Sequence, residues 1–448
     1  MVPVDTLLEC RWIVPVEPRG AVLEHHAVAV EGGRIVAIEP TIQARGRFQP
    51  AQRVVLADHV LIPGLVNVHT HAAMALLRGV GDDLPLMDWL QNRIWPLERA
   101  FADADFVFDG SRLAALDMLR AGVTCCNDMY FFPEAAARGL RSVGMRAVVG
   151  LVTVEFPTAY ASDADDYLRK GLAARDALRD DPLVHFTLAP HAPYTVADGS
   201  LVRIRNLAEE LDCPVHIHLH ETRHEIQQSL AGHGVRPLAR LERLGLVNER
   251  LLAVHAVHLE ADEIALLAAR GCTVAHCPAS NLKLGSGIAP LARLLEAGVG
   301  VAIGTDGAAS NNRLDVLDET RLAALLAKGA AHDASAAPAA RMLEAATLDG
   351  ARALGLERQI GSIEIGKSAD LVAVEFADAA VFPCYDIVSQ IVFAASREHV
   401  TDVWVHGKYV VQKRQLATGQ ESVPVTAILS AALPWQNRVR QFLNKPLA

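Results

Sequence analysis

The sequence predicts an α/β protein: a closed (β/α)8 TIM-like barrel with a small β-sandwich built from both chain ends. Three observations carry this expectation. Between residues 63 and 365, eight short apolar runs alternate with helical segments, the pattern of parallel strands joined by crossover helices. Both ends are instead β-rich and broken by glycine turns. The unusual polar residues fall where the apolar runs end, which is where a barrel places its chemistry.

At the N-terminal end, residues 1–62 read as all-β. Ala27 to Ile38 forms a hairpin around Gly32-Gly33, where positive φ comes easily, and Arg53 to Ile62 adds strand. Ile363 to Val374 and Val400 to Val411 repeat the pattern near the other end. The sandwich is therefore assigned to 1–62 plus 366–420. A helical tail takes 421–448, with Trp435 and Phe442 on its apolar side.

The barrel takes 63–365. Its runs are Leu61 to Val68, Val123 to Asp128, Arg146 to Val152, Val184 to Ala189, Pro214 to Leu219, Leu251 to Val254, Cys272 to Ala275 and Val299 to Gly304. Helical patterns such as Gly110 to Arg120 and Ser200 to Leu211 lie between them.

Bulk properties narrow the function. The formal charge is −10 with no basic run, which argues against nucleic acid and anionic membranes as partners. No apolar run reaches the ~18 residues of a membrane span, and the start, Met1-Val-Pro-Val-Asp5, has no signal-peptide pattern. Seven cysteines without a Cys-x-x-Cys read as reduced, buried thiols. The expectation is a cytoplasmic enzyme with a small-molecule substrate, assembled as a homo-oligomer.

The polar residues supply the chemistry. His69 and His71 close the first run and, by strand alternation, point the same way. Two hydrogen-bonded loop histidines are the plain alternative, but the spacing favours metal ligands, since imidazole is the commonest protein ligand for zinc. In Pro214-Val-His-Ile-His-Leu-His-Glu221, the spacing favours His218 as the next ligand, leaving His216 and His220 as filling. Glu221 lies just beyond that strand as a proton shuttle, or else as a surface residue opening the next helix. His191 follows run four, His255 ends run six, His276 ends run seven, and Asp306 follows run eight. His258 reads as structural. The first lysine, Lys170, lies on an exposed helical face, so a bridging lysine between two ions is not expected. A single ion is.

Together, Pro63-Gly-Leu-Val-Asn-Val-His-Thr-His71, His218-Leu-His-Glu221, His255 and Gly304-Thr-Asp306 resemble the amidohydrolase superfamily, in its mononuclear deaminase branch. The resemblance covers nearly the whole chain. Leu77-Arg-Gly79, Trp95-Pro-Leu-Glu98, Asp128-Met-Tyr130, Ala189-Pro-His-Ala-Pro-Tyr194 and His276-Cys-Pro-Ala-Ser-Asn281 are most similar to deaminases of 5′-methylthioadenosine and S-adenosylhomocysteine. That similarity implies one Zn²⁺, with Fe²⁺ or Mn²⁺ as alternatives, on His69, His71, His218 and Asp306. It implies Glu98 on the ribose hydroxyls and His191 on the sugar side. Catalysis would fall to Glu221, His255 and Asp306, with Glu221 and Asp306 also touching the substrate ring. Triazine hydrolases and guanine deaminases share the metal motifs, so a triazine or another purine-like ring is the alternative substrate. A metal-binding scaffold without catalysis is the alternative from a different class.

Overall fold

One glycine separates the two halves of the fold. In the computed structural model, which describes residues 1–417 and 423–444, strand Phe48–Pro63 belongs to a sheet built from the chain ends. The next strand, β1 (Leu65–Thr70), opens the barrel. Only glycine fits between them, because a Cβ on Gly64 would lie 2.0 Å from Thr124 Oγ1. The run Leu61 to Val68, expected as one strand, is therefore the end of one and most of another. Continuous hydrophobicity hides the break, since both strands are buried there.

Seven more parallel strands follow in ring order: β2 (Val123–Asp128), β3 (Arg146–Thr153), β4 (Val184–Pro190), β5 (Val215–Leu219), β6 (Leu251–His255), β7 (Thr273–His276) and β8 (Gly300–Ile303). Helices such as Ala104–Arg120 and Asp198–Leu211 cross between them. The ring closes just past β8, where Thr305 N and Asp306 N donate to His69 O at 3.2 and 3.0 Å. The Asn67 side chain reinforces the seam, donating to Thr305 Oγ1 at 2.7 Å and accepting from Thr305 N at 3.0 Å. Val66, Val148, Leu252, Val254, Ala275 and Ala302, from strands around the ring, form one buried cluster. That cluster fills the barrel.

The chain ends form a single mixed sheet of eight strands. Val2–Ile13 pairs in parallel with Phe48–Pro63, and Leu371–Glu375 pairs antiparallel on the other side of Phe48–Pro63. The sheet curls until Leu8, Val28 and Val30 from one wing share a core with Leu371 and Trp404 from the other. Leu23–Glu31 and Arg34–Pro40 make the expected hairpin, turning at Gly32 and Gly33 with φ of 56° and 78°. Two expectations change. The N-terminal end is not all-β, because Thr41–Arg47 forms a helix over the sheet, burying Ala44. Strand formation begins at Leu371 rather than Ile363, since the chain before it turns at Gly366 and carries Ser368 and Asp370 toward the barrel.

Those two residues tie the sheet to the barrel. Arg146, first in β3, donates to both carboxylate oxygens of Asp370 at 2.9 and 3.0 Å and to Ser368 Oγ at 3.0 Å. The pair is almost wholly buried. On the far side, helix Val425–Leu443 lays Trp435 against Phe106, ring centres 5.4 Å apart, and Phe442 against Phe101 at 5.6 Å. Trp435 Nε1 donates to Asp109 Oδ2 at 3.0 Å. Among the described residues no helix is long and apolar enough to cross a membrane.

We propose the division into 1–62 plus 366–420, 63–365 and 421–448 as the domain boundaries; 418–422 and 445–448, which carry the last junction and the end of the tail, lie outside the described residues. Breaking the buried pair should loosen the sheet from the barrel. Arg146→Ala leaves Asp370 charged and buried, so it should cost about 3–5 kcal/mol, measured as the shift in the denaturant midpoint.

Candidate active site

The strand ends bring the metal-type side chains to one mouth of the barrel. His69 lies in β1, His71 just beyond it, His218 in β5, His255 at the end of β6, and Asp306 just past β8. Nε2 of His69 and Nε2 of His71 each lie 3.3 Å from Asp306 Oδ1. The donor atoms of His69, His71 and Asp306 fall within 4.8 Å of one another, and so do those of His69, His218 and His255. His69 belongs to both triads, and His255 stands beside His218 in the second.

The rings are held from behind. His71 Nδ1 meets Met129 O at 2.6 Å, His218 Nδ1 meets His191 O at 2.7 Å, and His255 Nδ1 meets Asn281 Oδ1 at 2.9 Å. An oxygen acceptor requires the proton on Nδ1, which leaves each Nε2 lone pair facing the centre. Behind His69 stands His216, with Nδ1 and Nε2 2.8 Å apart, and Asn127 Nδ2 meets His216 Nδ1 at 3.1 Å. Burial keeps His69, His191 and His218 neutral, pushing His69 down to about 4, His191 down to about 3 and His218 well below its ordinary range.

Asp306 is fixed as firmly. Its backbone is left-handed at φ 61°. Oδ2 accepts from Ser280 Oγ at 2.6 Å and Ser310 Oγ at 2.9 Å, while Oδ1 accepts from Gly307 N at 2.7 Å. Whether a cation fits can be asked of one atom. His69 Nε2 is buried and makes no hydrogen bond, even with Asp306 Oδ1 close by. A buried nitrogen without a partner is costly, and a divalent ion on neutral imidazoles and a carboxylate would satisfy it. The residues fit the ion.

Above this floor lies a cavity of about 800 Å³, in the size range of a small-molecule site. Glu221 enters it as a buried side chain, which excludes a surface role. Its Oε2 lies 3.7 Å from His255 Nε2, its Oε1 accepts from Ser286 Oγ at 3.4 Å, and burial pushes its carboxyl up. On the wall, Glu98 from helix Trp95–Phe101 accepts from Tyr130 Oη at 2.8 Å. Burial raises Glu98 to about 7, against the pull of that hydrogen bond. His191 also lines the cavity, with Nδ1 3.0 Å from Thr195 Oγ1.

Several histidines stand elsewhere. His220 does not share the face of His216 and His218, because β5 ends at Leu219 and His220 turns into the left-handed region at φ 54°. Its Nε2 accepts from Leu238 N at 3.0 Å. His276 is buried with its Nδ1 unpartnered and does not line the cavity. Lys170 Nζ donates to Tyr160 O at 2.6 Å and is half-buried rather than fully exposed. Ser280, Asn281, Ser310 and Asn127 act on the site without having been assigned roles from sequence. The only signal was that Ser280 and Asn281 end the run His276-Cys-Pro-Ala-Ser-Asn281.

The model of the amidohydrolase family matches residues 60–410. The chain belongs to that family. This amidohydrolase is 44% identical, over 98% of its own length and 97% of the relative's, to a protein of Saccharophagus degradans named 5-methylthioadenosine/S-adenosylhomocysteine deaminase. A Teredinibacter turnerae protein of the same name is 46% identical, covering 93% and 94%. Among solved structures, an adenosine deaminase from Xanthomonas campestris with bound zinc superposes with a TM-score of 0.96 at 52% identity, covering 98% and 99%. Atrazine chlorohydrolase from Arthrobacter aurescens, with zinc, gives 0.89 at 21% identity, covering 96% and 100%. That last likeness speaks to the fold. The amidohydrolase is thus a hydrolytic enzyme, and the barrel expected from the sequence is the one found.

His216 offers a test of the site. Replacing it with Leu removes the imidazole behind His69 and should weaken metal affinity about 10- to 100-fold, as read by chelator competition.

Proposed function

We propose that this amidohydrolase is a zinc-dependent deaminase of adenine nucleosides, converting 5′-methylthioadenosine, S-adenosylhomocysteine or both to the inosine-type product and ammonia. The observation that carries the reading is a pairing across one cavity. A histidine–aspartate cluster lies on its floor, and a carboxylate suited to ribose hydroxyls, Glu98, lies on its wall. The names and near-complete coverage of the relatives support the same substrates, and the zinc of the Xanthomonas structure supports the ion. The seven unpaired cysteines suit a cytoplasmic site of action, and the reading includes a homo-oligomer.

His69, His71, His218 and Asp306 would hold the ion, which when bound supplies a Lewis acid that lowers the pKa of a water toward ~7. Asp306, whose carboxylate faces His69 and His71, takes the proton of the attacking water. His255, with Nδ1 committed to Asn281, steadies that water through Nε2. Oxygen adds to C6 of the adenine ring, and the C6–N1 electron pair moves onto N1. Glu221, whose carboxyl is pushed up by burial, supplies the proton that N1 takes. The proton held by Asp306 passes to the exocyclic amine, the C6–N bond breaks with its electrons on nitrogen, and ammonia leaves as the C6 hydroxyl becomes the carbonyl and returns its proton to Glu221. Glu98 and His191 hold the sugar meanwhile.

A panel of adenine nucleosides and aminotriazines assayed for ammonia tests the reading. Turnover confined to triazines, or none with metal bound, would overturn it. Glu221→Gln should keep the metal and lower kcat by about two to four orders of magnitude; unchanged turnover would remove Glu221 from the chemistry.

Glu98 gives a pH signature. With its carboxyl near 7, protonation below that pH removes a charged acceptor from the ribose hydroxyls. The KM for nucleosides should rise as pH falls through about 7, and this limb should be absent for Glu98→Gln.

A further inference from the structure

Glu221 needs aim, and little near its carboxylate supplies it. The contacts there are loose, 3.4 Å to Ser286 Oγ and 3.7 Å to His255 Nε2. Its direction must come from the backbone below. That backbone is unusual: β5 stops at Leu219, His220 takes the left-handed conformation at φ 54°, and helix Arg223–His233 begins two residues after Glu221. The peptide N–H groups of His220 and Glu221 lie in this turn, buried and outside any strand or helix ladder.

Both are taken up by one side chain. Glu225, 4% exposed, accepts from His220 N with Oε1 at 2.9 Å and from Glu221 N with Oε2 at 2.8 Å. Thr222-Arg-His-Glu225 has the spelling of a capping box, and Thr222 Oγ1 does accept from Glu225 N at 3.2 Å. In an ordinary box the glutamate would return to the N–H of the capping residue itself. Here it reaches past Thr222 to the two residues before it. Among the described residues its side chain has no cationic partner, and its hydrogen bonds go to those two N–H groups.

We infer that Glu225 is a positioning residue for the deamination, a clamp on the 220–221 turn that aims Glu221 at the substrate ring. The inference rests on the role given to Glu221 in the proposed function. Glu225→Gln keeps the shape but turns an acceptor into an NH₂ group facing a peptide N–H. One clamp bond is lost and the turn is free to swing. A misplacement of about 1 Å at a reacting group costs on the order of 100-fold.

The test is a double-mutant cycle on the metal-loaded enzyme, with kcat, KM and metal content measured for wild type, E225Q, E221Q and the pair. E225Q should lower kcat by about 10- to 100-fold with KM and metal content unchanged. In the E221Q background it should lower kcat by no more than about 2-fold, because residues acting as a unit are non-additive. Thr222→Val, which breaks the ordinary cap of the same helix, should lower stability and leave kcat unchanged. If E225Q gives no folded protein, Glu225→Asp, with its oxygens withdrawn by one methylene, is read the same way. The inference is overturned if E225Q keeps wild-type kcat, loses kcat equally in both backgrounds, or loses it in step with metal. It is also overturned if T222V matches its effect. Normal turnover by E221Q would instead bring down the role of Glu221, and this inference with it.

Discussion

The seam between β8 and β1 is the constraint on which the rest depends. Asn67 and Thr305, 238 residues apart in sequence, grip each other by side chain and backbone, and the amides of Thr305 and Asp306 both reach His69 O. One turn of backbone therefore closes the barrel and sets a carboxylate beside two histidines. Tied there, the first and last strands of the ring are held in register. The side chains at its mouth inherit that rigidity.

Rigidity alone would not make a site. His69 and His218 are buried deeply enough to stay neutral, and oxygen acceptors stand behind Nδ1 of His71, His218 and His255. Each acceptor comes from a different piece of chain: the loop after β2, the loop after β4 and the helix after β7. Neighbouring loops thus orient one another's groups. Buried carboxylates extend the pattern outward. Glu319 accepts from Ala279 N at 3.0 Å and Asn311 Nδ2 at 2.7 Å, bracing the segments that carry Ser280 and Ser310.

Much of this was legible in the chain because strand and helix periods differ and barrels gather their polar residues at one end. The eight runs, the hairpin at Gly32-Gly33 and the places of His69, His71, His218, His255 and Asp306 could all be read that way. What escaped reading was local and three-dimensional. The change of sheet at Gly64 leaves no mark in hydrophobicity, and the end of β5 at Leu219 is a matter of one φ angle at His220. Ser280, Ser310 and Asn127 are ordinary small polar residues. Their roles arise from distance, and distance across the barrel is not written in any local pattern.

The seam also imposes an order in time. The histidines leave the ribosome well before Asp306, so for much of synthesis the growing chain carries imidazoles with no carboxylate to complete them. An ion caught early would sit on an unfinished set and exchange freely. With the ion held as proposed, its durable capture would wait until the eighth strand docks, and loading would be a late act of maturation, sensitive to the ion supply at that moment.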